Sequence, residues 1–334
     1  MELKAPIASL SYLLATLLGH PSIQPMHSTL KKPSQAGMVG IVSGIFSLAI
    51  LLQAEPRTSF ELDLQKRVSP HQDGAFTQVN STEVWPAKQT AVIVCDVWDL
   101  HHCKNAVMRV KEMAPRMNQL LEEARTAGAL IIHAPSGCTD FYQGHPARLR
   151  AQNVPRADNL PTDIEKWCYQ IPAEERAVYP LDQSDGGEDD DPVEHAAWAA
   201  YLAEIGRNPG SPWKRQYDVL KIHENDAITD DGEEVWSLLE HHDIDNVLLL
   251  GVHTNMCVLG RPFGLRQLAQ NGKNVVLVRD LTDAMYNPKM WPYVNHYRGT
   301  DRIIEHIEKY VCPTTTSDQI LGGVPFRFSA DPDR

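Results

Sequence analysis

VLLLGVHTNMCVLGRPFGLRQLAQNG, Val247 to Gly272, joins a buried strand to a helix through a turn that carries a cysteine. Val247 to Gly251 is a short apolar run of the kind buried on both faces of a parallel sheet. Cys257 to Asn271 reads as a helix stopped by Gly272. A thiol at a helix N-terminus feels the positive end of the helix dipole, which favours thiolate, and the backbone N–H groups there can hold an oxyanion. Taken alone, the same cysteine reads equally well as a packed, inert thiol.

Outward from this stretch the chain alternates. Ala91 to Cys95 (AVIVC) is a second buried strand, ending at Asp96. Between Ala106 and Ala127, apolar side chains recur at helical spacing (Val107, Val110, Met113, Met117, Leu120, Leu121, Ala124), and Gly128 closes the run. Ala129 to His133 and Asn274 to Val278 read as strands, Asp231 to His242 and Thr300 to Tyr310 as helices. The order predicts an α/β domain, a three-layer, doubly wound and mostly parallel sheet. Ligands of such sheets bind beyond the carboxyl ends of the strands, where Asp96 and the Cys257 loop both fall.

The expected organisation is a targeting segment and linker over residues 1–60, a polar lead-in over 61–86, the folded domain over 87–315 and a tail over 316–334. From 141 to 216 the alternation lapses into a proline-rich insertion, which suits a lid or an assembly arm. Its acidic run, Ser184 to Asp191 (SDGGEDDD), can attract a hard cation, though a solvated loop is the plainer reading. Met38 to Leu52 is mostly apolar and follows Lys31 and Lys32, an order that resembles an export signal. It is short for an uncleaved membrane anchor, which needs roughly 20 residues. The expectation is an exported or membrane-tethered protein, or a cytoplasmic one if the true start is Met26 or Met38.

The net charge of −12 argues against general affinity for nucleic acid or an anionic membrane and favours a small-molecule substrate. The six cysteines show no CxxC pairing, so neither a zinc ribbon nor a disulfide scaffold is expected.

GVHTNMCV, Gly251 to Val258, closely resembles the G-V-x-T-x-x-C-V signature of isochorismatase-like cysteine hydrolases, a family of Rossmann-like proteins that includes nicotinamidases and other amidases. The resemblance spans roughly residues 88–312 and implies that Cys257 is the nucleophile. In AVIVCDVWDLHHC, the family's strand-end general base matches Asp96, with Asp99 as the weaker candidate; the segment that follows departs from the usual family pattern. The family's strand-end lysine matches Lys221, 36 residues before Cys257, with Lys214 as fallback. The resemblance further implies a cis peptide at Val252–His253, an oxyanion site from the N–H groups of His253 and Cys257, and a homo-oligomer.

No cofactor is needed for that mechanism. Nicotinamidases carry a D-x-H metal motif that this chain lacks at the matching place; His133, Asp140 and His145 are the candidate ligands for zinc or iron. Trp98, His133, Phe141 and Tyr142 are candidates to line a substrate pocket. The expected activity is hydrolysis of a small-molecule amide through a thioester. The alternatives are a vinyl ether hydrolase of isochorismatase type, a non-catalytic exported binding protein on the same fold, and a redox thiol protein in which Cys95 or Cys103 resolves Cys257.

Overall fold

A computed structural model describes residues 57–69 and 75–333. The export or anchor segment expected before residue 57 lies outside the described residues. Among the described residues, no helix is long and apolar enough to cross a membrane.

Among the described residues, eight strands form one sheet: β1 (Ser59–Val68), β2 (Thr77–Pro86), β3 (Thr90–Cys95), β4 (Leu130–Ala134), β5 (Ala227–Ile228), β6 (Asn246–Val252), β7 (Asn274–Asp283) and β8 (Thr314–Thr315). Their order is β2-β1-β8-β7-β6-β3-β4-β5. The strands from β3 to β8 pair in parallel, and β1 and β2 add an antiparallel hairpin at one edge. From β3 the chain first builds outward through β4 and β5, then returns to lay β6 on the other side of β3. The reversal opens a crevice at the carboxyl ends of β3 and β6.

The central strands are apolar throughout because both faces are covered. Ile93, Leu249 and Leu277 face α4 (Gly232–His241), α5 (Leu265–Gln270) and α6 (His296–Tyr310). Val92, Val94, Leu248 and Val276 face α1 (Lys104–Ala127). On α1 the buried residues Met113, Met117, Leu120, Leu121 and Ala124 keep helical spacing, and Gly128 ends the helix in the left-handed conformation, φ 101°.

Three expectations are corrected. The polar lead-in over 61–86 is a regular hairpin: Phe60, Leu62 and Leu64 are buried while Glu61 and Asp63 alternate with them. That period of two is the signature of a strand with one covered face. The single helix from Cys257 to Asn271 is two pieces, a wide π-type turn at Thr254–Val258 and α5. Pro262 lacks an N–H for the helical ladder and disfavours helical backbone at Arg261, and Gly260 and Gly264 flank it. Finally, the tail from 316 is packed: Ile320, on α7 (Asp318–Leu321), and Phe328 are buried in the same cluster as α1.

The insertion is fastened to the domain at several points. It contains α2 (Pro146–Gln152) and α3 (Pro192–Glu204). Glu174 bonds Arg266 of α5 through both carboxylate oxygens, each at 2.8 Å, and His306 of α6 at 2.8 Å. The acidic run is spent on structure. Asp190 accepts from the amides of Lys104 and Asn105 at the start of α1, both at 2.8 Å, and Asp189 pairs with Arg109 at 2.7 Å.

Candidate active site

Asp96 stands at the end of β3 with φ 51°, a left-handed conformation that turns the chain sharply out of the sheet. Its side chain is fully buried. One oxygen accepts from the amide of Ser136 at 2.7 Å and the other from Arg261 Nε at 2.9 Å. The Cys257 thiol stands beside the same carboxylate, close enough that each shifts the titration of the other. Burial raises the Asp96 pKa, against the opposing pull of Arg261 and of the Ser136 amide. The raised value suits a group that must take a proton and later return it.

Cys257 lies in the turn after β6 and is 6% exposed. Burial and the adjacent Asp96 charge push its thiol up, while Arg261 and the His253 amide, which donates to the sulfur, act the other way. At rest the proton therefore belongs on sulfur. Moving it to Asp96 places negative charge on Cys257 between a guanidinium and a backbone donor, both already in place. The peptide between Val252 and His253 is cis. Gly251, just before it, has φ 122°, and a Cβ there would meet the Cys95 carbonyl oxygen at 2.0 Å, so only glycine fits.

The cation that touches Asp96 is Arg261, not Lys221. Lys221 is exposed, and its ammonium donates to the Asp218 carbonyl at 2.9 Å. The neighbouring Leu220 occupies the buried position of that segment, which turns Lys221 outward. Lys214 is likewise remote in role, with its amide on Asp99 at 3.0 Å. Arg261 follows Cys257 by one helical turn, its amide bonded to the Cys257 carbonyl at 3.0 Å, so the i, i+4 spacing was its sequence signal. Trp167 of the insertion covers Arg261, with the guanidinium 5.3 Å from the ring centre. Trp167 also packs on Gly260, where a Cβ would stand 2.4 Å from the ring. Asp99 is committed elsewhere, pairing with Arg207 at 2.7 Å.

The candidate metal ligands do not gather. His133 is buried between Gln216, at 3.0 Å, and Asp226, at 3.1 Å. His145 caps α2 by accepting from the Ala147 amide at 3.1 Å. His133, Asp140 and His145 therefore do not fit a metal as one ligand set. Among the described residues, the group with metal-like spacing is Cys103, Asp189 and Asp190, whose carboxylates already serve Arg109 and the start of α1.

Of the four pocket candidates, Trp98 lines a small cavity beside Asp96 and stacks on Trp213, with ring centres 4.7 Å apart. His133 is bonded inside the sheet edge, Phe141 is exposed under Arg215, and the Tyr142 hydroxyl accepts from the Gln216 amide. His101 also lines the cavity. All six cysteines are buried free thiols.

No protein-family model matches the chain, and no curated protein matches it. Among solved structures, a cysteine hydrolase from Pseudomonas syringae pv. phaseolicola is 17% identical, with TM-score 0.41, over 70% of this chain and 92% of that one. An isochorismatase family protein from Desulfovibrio vulgaris is 14% identical, with TM-score 0.35, over 66% of this chain and 89% of that one. A nicotinamidase from Staphylococcus aureus is 10% identical, with TM-score 0.30, over 66% of this chain and 92% of that one. Solved cysteine-hydrolase, isochorismatase-family and nicotinamidase structures are what this α/β chain is similar to.

Proposed function

We propose that the chain is a cysteine-dependent hydrolase of a small-molecule amide. The observation that carries this reading is a single buried carboxylate, Asp96, held by Arg261 beside the Cys257 thiol. Asp96 takes the thiol proton, and the thiolate attacks the carbonyl carbon. The His253 amide and the neighbouring turn supply donors for the oxyanion. Asp96 then gives its proton to the leaving amine, so the C–N bond breaks with a neutral leaving group. Water cleaves the remaining thioester. A vinyl ether hydrolase has no use for a thiol beside its acid–base group.

The test is ammonia release from nicotinamide and a panel of small amides by the full chain and its Cys257→Ala variant. Release that vanishes in the variant supports the reading. A Cys257 thiol that no small electrophile labels, together with silence on every amide, sinks it.

A further inference from the structure

Beside Asp96 lies a cavity with room for about one water, lined by His101 and His253 together with Trp98, Val107 and Val252. The two imidazole rings meet edge to face, with centres 4.8 Å apart. Nδ1 of His101 accepts from the Cys103 amide at 3.1 Å, so the proton of the neutral ring sits on Nε2. Nε2 of His253 is buried and has no hydrogen-bond partner among the described residues. An unmet buried polar atom costs about 1–3 kcal/mol, and a native site that tolerates one has a use for it. Burial lowers the His101 pKa and takes that of His253 down to about 4. Both rings are therefore neutral near pH 7 and compete with Asp96 neither as bases nor as charges.

We infer that this cavity seats the water that hydrolyses the acyl-enzyme, with His101 and His253 holding it for Asp96. The inference rests on the amide-hydrolase reading and adds two residues and a reactant to it. Once the amine has left, Asp96 is again a carboxylate. It takes one proton of the water as the oxygen bonds to the thioester carbonyl carbon. The C–S bond breaks, sulfur leaves with the bonding pair and recovers the proton from Asp96. The second water proton stays on the carboxylic acid product. The apolar remainder of the lining, Val107 and Val252, excludes a competing hydrogen-bond network.

The test uses the full chain, p-nitrophenyl acetate as acyl donor, and the His101→Ala, His101→Asn, His253→Ala and His253→Asn variants. Stopped-flow release of p-nitrophenolate reads acylation, and intact mass reads the acetyl adduct on Cys257. The expected result for the His101 variants is acylation within about threefold of the parent and adduct hydrolysis slower by roughly tenfold or more, so that the adduct accumulates; for the His253 variants it is a greater loss of adduct hydrolysis than of acylation. Added hydroxylamine, which attacks without the seated water, should clear the adduct from parent and variants at similar rates. Variants that clear the adduct in water at the parental rate or faster overturn the inference, as do variants that lose acylation and hydrolysis equally. A parent that shows neither Cys257-dependent release of p-nitrophenolate nor an adduct on Cys257 is a different result: it removes the amide-hydrolase reading itself, and the water site with it.

Discussion

Arg261 Nε meets Asp96 Oδ2 at 2.9 Å across a sequence separation of 165 residues, while the Ser136 amide holds the other carboxylate oxygen at 2.7 Å. The carboxylate that receives the Cys257 proton is thus oriented from both sides. Arg261→Ala should slow acylation of Cys257 by roughly 100-fold, the usual loss when one preorganised electrostatic group is removed. Arg261→Lys should recover only part of it, because an ammonium lacks the planar donor fork. Lys221→Ala should leave the rate unchanged. The burst of p-nitrophenolate checks all three, and a burst sensitive to Lys221 but not to Arg261 would reverse the assignment.

Asp96 must be ionised to accept the thiol proton, and burial raises its pKa. The rate of Cys257 acylation should therefore fall as pH drops through that raised value, rather than near the ordinary value of about 3.9. Removing Arg261 takes away a charge that lowers the pKa, so Arg261→Ala should shift this limb to higher pH. A pH profile of acylation in parent and variant measures the shift, and a move toward lower pH contradicts the arrangement.

Glu174 couples the insertion to the fold. Its bonds to Arg266 and His306 hold its pKa down to about 2, against the opposing effect of burial. A carboxylate depressed on folding stabilises the native state above its unfolded pKa, here about 4.3, and loses that stabilisation as pH falls toward 2. Glu174→Gln leaves Arg266 buried without its anion and should cost about 3–5 kcal/mol at pH 7. The gap between parent and variant unfolding free energies from urea melts should narrow by about 1 kcal/mol or more as pH is lowered from 5 to 3. A gap independent of pH would mean that the pair contributes packing alone.

Gly251 is fixed by the sheet itself. With φ 122° and the Cys95 carbonyl oxygen 2.0 Å from any Cβ, Gly251→Ala must push β6 away from β3. The expected loss is about 3 kcal/mol, together with slower acylation, since Asp96 and Cys257 extend from those two strands. Thermal unfolding and the p-nitrophenolate burst report the two effects separately.

Much of the fold was legible because neighbouring residues encode it. AVIVC and VLLLG are apolar at every position, as strands covered on both faces must be, and the spacing along α1 is that of a helix with one buried side. The hairpin was legible in principle from the alternation Phe60, Leu62, Leu64, but the polar residues around it masked a strand with only one covered face. The broken helix after Cys257 was written in Pro262 and its flanking glycines. His253 was visible from its place in the cysteine motif, whereas nothing local to His101 tied it to that motif.

By itself the sequence determined the alternating α/β order and the strand ends that carry Asp96 and Cys257, because spacing over a few residues decides which side chains a strand or helix buries. Only the tertiary structure decided that Arg261 rather than Lys221 meets Asp96, that Trp167 covers it, and that His101 and His253 share one cavity. Those pairings depend on how distant segments close on one another, and closure is governed by packing across the whole sheet rather than by any local pattern.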